Sequence, residues 1–241
     1  MIQELETKTI IIFDKKYETF GHRPHLVIAD DHCKYVLKCQ NHRNDKDSVV
    51  REFLCSFLLD YWEVFHPKCY ELVAHDEFPY ETLISIDKRF KFNRHFFGSA
   101  YLDNCIDLSP ILPLKQNSFD KIDDWQSIFL IALFDIWVAN EDRKPTNYNL
   151  LLYPNSGSFK LVPIDHSFTF CTLEFENLNP EHIGFSYNDS ILFSPFGKVA
   201  IQRIKEEDNW LESIRLNFTE SYLTYRQILG RFWTICLILI V

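Results

Sequence analysis

The segment DIWVANEDRKPTNYNLLL, residues 135–152, decides how the rest of the chain is interpreted. It begins in an apolar helical stretch, passes through a polar loop and ends in an apolar strand. The loop contains Asp142 and, five residues later, Asn147, with Asn149 as a second amide close by. The predicted hairpin that follows ends in PIDH, residues 163–166, which adds Asp165. Three oxygen-bearing side chains therefore follow one another around a predicted hairpin.

Phosphoryl transfer needs such a set of side chains. A carboxylate must lie near the acceptor hydroxyl, and oxygen ligands must hold magnesium against the nucleotide phosphates. Protein kinases take these groups from an Asp, an Asn five residues later and a further Asp after a hairpin, which is the order of Asp142, Asn147 and Asp165. An Asp and an Asn at this spacing are common turn and cap residues. The order of all three residues is therefore what favours a kinase site.

The preceding part of the chain should supply a cation for the α- and β-phosphates. Lys38 stands in the otherwise apolar strand YVLKC, residues 35–39, and Glu52 lies one turn into the next predicted helix. In kinases a lysine on a strand is fixed by a carboxylate on the following helix. Lys38 and Glu52 are therefore the predicted phosphate-anchoring pair, although each residue alone is more typical of a solvated surface position.

Local patterns predict an α+β fold. The chain begins with short β-rich segments and becomes mostly helical later. We predict a helix from Asp47-Ser48 to about Val64, a second from Asp120 to about Val138, and a largely helical region after Glu181. The predicted extended segments are Thr9–Phe13, His25–Ala29, Lys34–Cys39, Cys69–Ala74, Thr82–Ile86, Phe96–Leu102, Leu150–Tyr153 and Phe159–Ile164.

The chain resembles the HipA-like kinase family. The resemblance covers residues 20 to 170 and includes nothing specific in the last seventy residues. It is carried by the following segments: GHRPHLV at 21–27, YVLK at 35–38, Arg51-Glu52, FGSAYL at 97–102, DIWVANEDR at 135–143 with Asn147, and Ile164-Asp165-His166.

The resemblance implies a two-lobed, protein-kinase-like fold that binds ATP and Mg²⁺ between its lobes and phosphorylates a serine or threonine. An antiparallel, β-rich N-lobe would span residues 1–103 and a mostly helical C-lobe residues 104–241, together forming one catalytic domain. By this resemblance Asp142 would be the catalytic aspartate, Asn147 and Asp165 the magnesium ligands, and Lys38 with Glu52 the phosphate-anchoring pair. Tyr101 and Leu102 would form the hinge beside the adenine, and Gly21 and Arg23 would belong to the phosphate-covering loop.

Better-studied relatives are toxins of bacterial toxin–antitoxin pairs that modify a tRNA-charging enzyme, but they resemble this chain only in the kinase core. A protein substrate and an antitoxin-like partner are accordingly expectations without an identified molecule. Neither the target nor toxicity is carried over to this chain.

The chain departs from the kinase pattern in two places. The phosphate-covering loop has a single glycine, Gly21, so Arg23 would have to supply part of the phosphate contact with its side chain. His166 and Ser167 stand where most protein kinases have Phe-Gly. Two alternatives therefore stay open: a non-catalytic pseudokinase that serves as an interaction module, and a small-molecule kinase of the aminoglycoside type. Asn149 also stays open as a metal ligand in place of Asn147.

Composition narrows the possible partners and location. A formal net charge of -9 leaves no broad basic surface for nucleic acid. Seven cysteines without a C-x-x-C pair argue against a disulfide framework or a structural zinc, and with an N-terminus unlike a signal peptide they favour the cytoplasm. The apolar residues 232–241 are too few to cross a bilayer, so no membrane association is expected. Residues 231–241 are either native or the product of a truncation or frameshift.

Several other side chains have a structural as well as a functional interpretation. His22, His25 and His32 are expected to be surface histidines rather than zinc ligands, because no carboxylate accompanies them at a fixed spacing. Arg143 could orient Asp142, contact phosphate or be an ordinary surface arginine. Cys39 is expected to be buried rather than reactive, and Trp125 and Trp137 are expected in the core.

Overall fold

The computed structural model describes residues 5–17, 24–39, 47–92, 94–110, 119–122, 125–179, 184, 190–206, 209, 211–213, 215–216 and 219–220. The chain divides into two compact units. The first contains residues 1–56, 67–105 and 164–184, and the second contains residues 57–66, 106–163 and 185–241. Neither unit is a continuous stretch, because residues 164–184 return to the first unit.

The first unit is built on five strands: β1 (Thr7–Lys16), β2 (His25–Ala29), β3 (Lys34–Lys38), β4 (Cys69–Ala74) and β5 (His95–Ala100). They close on themselves in the order β1-β2-β3-β5-β4. β1 and β4 run parallel and the other neighbours are antiparallel, including the predicted hairpin of β2 and β3. Fully buried apolar side chains such as Ile10, Val27, Leu37 and Leu72 form the core of this sheet.

Helix α1 (Ser48–Tyr61) begins where the sequence predicts it, directly after Asp47, whose carbonyl accepts the first helical hydrogen bond from the Arg51 amide at 2.9 Å. It ends at Tyr61, three residues before the predicted end. Its residues 48–56 belong to the first unit and its residues 57–61 to the second. The helix therefore carries Arg51 and Glu52 within the first unit.

The predicted extended segment Thr82–Ile86 is wrong: these residues lie in helix α2 (Tyr80–Ile86). Burial in this segment follows helical spacing, with Leu83 and Asp87, four residues apart, both buried. The carbonyl of Pro79 accepts hydrogen bonds from the amides of Thr82 and Leu83, at 3.0 and 3.1 Å. A short 3₁₀ turn, Lys88–Phe92, follows.

The second unit contains a three-stranded antiparallel sheet of β6 (Ile106–Asp107), β7 (Leu150–Asn155) and β8 (Ser158–Pro163). β7 and β8 form the predicted hairpin, and both turn residues between them, Ser156 and Gly157, have positive φ angles of 49° and 96°. Left-handed backbone at both turn positions matches the twist of the strands. The hairpin therefore leads the chain from the loop after Asp142 to Asp165.

Helix α3 (Gln126–Trp137) is almost wholly apolar and carries the buried side chains Ile128, Ile131 and Phe134. It begins six residues after the predicted start at Asp120. Residues before it bind the sheet instead, since the Phe159 amide donates to the carbonyl of Lys121 at 2.7 Å. Helix α4 (Pro195–Ile204) follows later in the unit and is capped by Ser194, whose hydroxyl accepts from the Gly197 amide.

The expected core tryptophans differ in burial, since Trp125 is buried and Trp137 half-buried. Trp137 packs against Trp62 in the second unit. Across the described residues, every helix falls short of the length and apolar character that a membrane span requires.

Candidate functional site

Lys38 lies at the centre of a buried charged cluster in the first unit. It is the last residue of β3 and follows Leu37, which faces the sheet core, so the alternation of a strand turns Lys38 to the opposite face. Its Nζ forms an ion pair with Glu52 Oε1 and a second with Asp165 Oδ1 at 3.0 Å. The structure thus brings together Lys38, Glu52 and Asp165, three of the site residues predicted from the sequence.

The two carboxylates keep Lys38 charged. Burial alone would lower the pKa of Lys38, but the negative charges of Asp165 and Glu52 outweigh it and raise that pKa above its usual value. Burial raises the pKa of Glu52, although Lys38 opposes that rise. The second oxygen of Glu52, Oε2, accepts a hydrogen bond from the amide of His166 at 3.1 Å. Glu52 therefore holds both Lys38 and the backbone next to Asp165.

Asp165 is less buried than its partners, with 30% of its side chain exposed. Its Oδ1 accepts a hydrogen bond from the Ser167 hydroxyl at 2.7 Å as well as the contact from Lys38. Its backbone is left-handed, with φ of 59°, a conformation that non-glycine residues seldom adopt. The carboxylate is thus fixed by side chains on both sides in a partly exposed position.

Asp142 lies in the second unit, in the loop after α3. Asn149 Nδ2 donates to Asp142 Oδ2 at 3.0 Å, and the Asp142 amide donates to Asn140 Oδ1 at 3.2 Å. Asn147 pairs through its backbone with Lys144, in two hydrogen bonds of 2.9 Å. The side chain of Asn149 therefore contacts Asp142. The choice between Asn147 and Asn149 as the metal ligand stays a prediction.

A buried ion pair lies beneath this loop. Arg143 is fully buried, and its Nε contacts Asp135 Oδ2 at 2.8 Å. Arg143 Nη1 donates to the carbonyls of Tyr148 and Asn149, which ties both sides of the loop together. Burial raises the pKa of Asp135 to about 6, and the Arg143 guanidinium opposes that rise. Arg143 therefore fixes the loop from below and is not a surface residue.

Sequence reasoning missed the roles of Asp135 and Arg51. A single carboxylate in an otherwise apolar helix was the available signal for Asp135, because a buried charge requires a partner. Arg51 is fully buried, and it donates to the carbonyls of Ser167 and Leu173, more than a hundred residues away in sequence. No local sequence pattern predicts these contacts. His25 is also buried rather than exposed as expected, because its Nε2 lies 3.1 Å from Asp87 Oδ2 in the first unit.

The remaining predicted residues are placed in part. Tyr101 and Leu102 are half-buried and directly follow β5. The Tyr101 amide donates to the carbonyl of Lys34 at 3.0 Å, and Lys34 Nζ lies 5.5 Å from the centre of the Tyr101 ring. Gly21 and Arg23, the predicted phosphate-loop residues, lie outside the described residues.

The predicted metal ligands carry a carboxylate, on Asp165 in the first unit, and a side-chain amide, on Asn147 or Asn149 in the second unit, and oxygen donors of this kind suit Mg²⁺. In the described ranges, no group of three or more His, Cys, Asp and Glu side chains forms a metal cluster. Kinase sites bind magnesium through one or two protein oxygens together with the nucleotide phosphates. Each of these oxygens is therefore of a type that could bind magnesium delivered with a nucleotide.

Comparisons with known proteins point to one family. The family model described as "HipA-like kinase" matches residues 10–215, most of the chain. Among solved structures, the chain is similar to the crystal structure of a Helicobacter pylori proinflammatory kinase, CtkA, with a TM-score of 0.45 and 10% sequence identity. That similarity covers 87% of this chain and 68% of the other. No curated protein matches the chain.

Proposed function

This chain belongs to the HipA-like kinase family, and we propose that it is a Mg²⁺- and ATP-dependent enzyme that transfers the γ-phosphate of ATP to a serine or threonine hydroxyl of a protein. The observation that carries the proposal is the buried cluster in which Lys38 pairs with both Glu52 and Asp165. A lysine held by a helix carboxylate and lying beside a metal-binding aspartate is the arrangement that kinases require.

In this proposal Lys38 binds the α- and β-phosphates. Two carboxylates keep it charged, so it can offset negative charge that develops on the phosphates. Glu52 fixes the lysine in place. Without Glu52, Asp165 would be the one of these two carboxylates that still contacts Lys38. The pair is therefore proposed to orient the nucleotide rather than to exchange protons with it.

Asp165 and Asn147 are the proposed magnesium ligands. Asp165 suits this role because its carboxylate is fixed on one oxygen by Lys38 and Ser167 while 30% of the side chain stays exposed. When bound, the metal would neutralise charge on the nucleotide phosphates. Asn149 is the alternative amide, and its hydrogen bond to Asp142 favours a role in orienting that aspartate.

Asp142 is the proposed catalytic aspartate, which orients the acceptor hydroxyl and accepts its proton. Asn149 and the Asn140 side chain set its position, and the buried Arg143–Asp135 pair supports the loop from below. A carboxylate held in one orientation lowers the entropic cost of aligning the hydroxyl with the phosphate. The loop is thus suited to positioning as much as to proton transfer.

The remaining roles come from the family resemblance. Tyr101 and Leu102 would lie beside the adenine, and Gly21 and Arg23 would cover the phosphates. The resemblance also implies an N-lobe of residues 1–103, a C-lobe of residues 104–241, a protein acceptor and an antitoxin-like partner, and the cysteine content favours a cytoplasmic location. A substrate screen that identified a different acceptor would change this part of the proposal first.

The test is phosphate transfer from labelled ATP to the protein itself and to lysate proteins. Asp142→Asn should reduce transfer about a thousandfold or more, because positioning and proton transfer are lost together. Glu141→Gln is the matched control, because Glu141 is the exposed neighbour of Asp142 and should leave transfer unchanged. Transfer by Asp142→Asn at the wild-type rate would refute the assignment. Transfer to aminoglycosides or other small molecules, without transfer to proteins, would identify a small-molecule kinase instead.

A further inference from the structure

Helix α1 does more than supply Glu52: we infer that Arg51, its neighbour, is a positioning residue that holds the segment 165–173 so that Asp165 stays beside Lys38. The inference rests on the proposed function for the meaning of Asp165 as a magnesium ligand. It rests on the structure for the hydrogen bonds from Arg51 to Ser167 and Leu173, which lie with it in the first unit.

Arg51 is fully buried and forms a bridge between two points of this segment. Its Nε donates to the carbonyl of Ser167 at 2.7 Å and its Nη1 to the carbonyl of Leu173 at 3.2 Å. A guanidinium has a planar array of donors that can satisfy two carbonyls at once, whereas a lysine ammonium is a point charge. The contact with Ser167 acts on the residue whose hydroxyl binds Asp165 Oδ1.

The bridged segment has an unfavourable backbone. Asp165 and three consecutive residues, Phe170, Cys171 and Thr172, are left-handed, with φ angles of 59°, 56°, 53° and 54°. None of them is glycine, so each brings its Cβ close to the following carbonyl. Such a conformation persists only where surrounding contacts determine it. The bridge from Arg51 encloses the three consecutive residues between Ser167 and Leu173.

Other side chains on or next to α1 contact this segment or the residues just after it. Asp47 Oδ2 accepts a hydrogen bond from the Phe175 amide at 2.8 Å. Cys55, one turn after Arg51, lies with its sulfur 3.6 Å from the Thr169 hydroxyl, which donates to the carbonyl of His166 at 3.1 Å. Contacts from Asp47, Arg51, Glu52 and Cys55 therefore reach points from His166 to Phe175, and Arg51 makes the central pair.

The experiment compares Arg51→Met, Arg51→Lys and Arg94→Met. Arg94 is the matched control because its guanidinium also donates to two carbonyls of the first unit, those of His75 and Phe78, at 3.1 and 3.0 Å. Two readouts are measured on the full chain: amide hydrogen exchange, and the Mg²⁺ concentration that gives half-maximal phosphate transfer.

We expect Arg51→Met to speed exchange at the amides of Thr172, Leu173 and Phe175 about tenfold or more, relative to strand amides of β2 and β3. The half-maximal Mg²⁺ concentration should rise about tenfold, as is typical when a group that orients a metal ligand is removed. Arg51→Lys should recover only part of both effects, because one ammonium cannot reach both carbonyls in the guanidinium geometry. Arg94→Met should leave both readouts within about twofold of wild type, since the carbonyls that Arg94 binds belong to His75 and Phe78, outside the segment.

Exchange in this segment that is no faster in Arg51→Met than in Arg94→Met would overturn the inference. So would a selective rise in exchange with an unchanged Mg²⁺ requirement, because Arg51 would then hold the segment without positioning Asp165. Failure of the proposed function is distinguishable, since a wild-type protein that transfers no phosphate still reports the exchange. In that case Mn²⁺ binding, measured by electron paramagnetic resonance, replaces the Mg²⁺ readout, and unchanged Mn²⁺ affinity in Arg51→Met would overturn the inference.

Discussion

Lys38 shows how one residue can depend on two distant parts of a sequence. The lysine stands on a strand and Glu52 follows on the next helix. Asp165 comes 127 positions after the lysine, yet both carboxylates contact the same ammonium. Burial of this cluster makes each charge depend on the others, because an unpaired charge in a buried site is costly. The three residues should therefore respond to substitution as one unit.

Substituting Lys38 tests its role in nucleotide binding directly. Lys38→Met should lower kcat/KM for phosphate transfer about a hundredfold or more, since a positive charge beside the phosphates is lost. The fold should survive, because burial already raises the pKa of Glu52 and removal of the lysine would favour its neutral form further. Lys68→Met, which removes an exposed lysine of the same unit, is the control. Equal kcat/KM values for the two variants would contradict the role given to Lys38.

The two asparagines near Asp142 should differ in their effects. Asn147→Ala should raise the half-maximal Mg²⁺ concentration about tenfold, because it removes a proposed metal ligand. Asn149→Ala should instead lower kcat with little change in the Mg²⁺ requirement, since Asn149 holds Asp142 through its Nδ2. Steady-state kinetics at varied Mg²⁺ separates the two variants. The opposite pattern would transfer the metal-ligand role to Asn149.

The residues of the Lys38 cluster are easier to recognise in the sequence than the residues that support the loop after α3. The order of Lys38, Glu52 and Asp165 was readable because each lies on a strand, helix or hairpin with a local pattern. Arg143 left three interpretations open, since a loop arginine gives no sign of burial until the partner on α3 is known. Supporting contacts are set by tertiary packing, which single-sequence patterns do not encode.

At the scale of elements, strand β5 packs closely against β4 at Gly98. A Cβ added at Gly98 would lie 2.3 Å from Leu72 Cγ on the neighbouring strand β4. Gly98→Ala should therefore lower the free energy of unfolding by about 1–3 kcal/mol through overpacking. Urea unfolding measures the loss, and the double variant Gly98→Ala with Leu72→Val should lose less than the sum of the two single variants. Additive losses would show that the two side chains do not compete for space.

A charged cluster joins strands β1 and β2 to the 3₁₀ turn after α2. Asp87 Oδ2 lies 3.1 Å from both Lys16 Nζ and His25 Nε2, and Arg89 Nη2 donates to it at 2.8 Å. Burial alone would raise the pKa of Asp87, but hydrogen bonds from Arg89 and His25 outweigh it and hold that pKa well below its usual range. Burial lowers the pKa of His25, against the opposing hydrogen bond from Asp87.

Both shifts predict loss of stability in acid. A carboxyl group whose pKa is lowered on folding stabilises the protein above the pKa of the unfolded residue, near 4, and this contribution is lost as pH falls below it. A histidine with a lowered pKa acts in the same direction below about pH 6.5. Asp87→Asn should cost about 2 kcal/mol at pH 7 and less at pH 3, as measured by urea unfolding. A loss that is equal at both pH values would contradict the assignment.

Helix α2 is an element for which the sequence pattern does not distinguish a strand from a short helix. The segment Thr82–Ile86 is short and mostly apolar, as a strand can be, but Pro79 supplies the carbonyl that starts a helix, and Leu83 packs in the sheet core. Five residues carry too little periodicity to decide between a strand and a short helix, and here the preceding proline and tertiary burial decide. The hairpin of β7 and β8, with Gly157 in its turn, was the easier prediction because its turn chemistry is local.

For the whole molecule, the order of elements along the chain was predictable and the grouping of those elements was only partly so. Mixed α+β character follows from early β-rich segments and later apolar helices. The sequence boundary at residue 103 placed Asp165 with the later residues, whereas residues 164–184 pack into the first unit. No composition shift marks residue 164, since the return depends on long-range contacts such as those of Arg51 and Glu52.

The most direct test of this account is calorimetric titration of the protein with ATP in the presence and absence of Mg²⁺, in wild type, Lys38→Met and Lys68→Met. The account predicts Mg²⁺-dependent ATP binding by wild type and Lys68→Met, and affinity about a hundredfold weaker in Lys38→Met, because that variant lacks the buried ammonium proposed to contact the phosphates. Absence of ATP binding by the wild-type protein, or equal affinity in all three proteins, would contradict the claim that the Lys38 cluster binds the nucleotide.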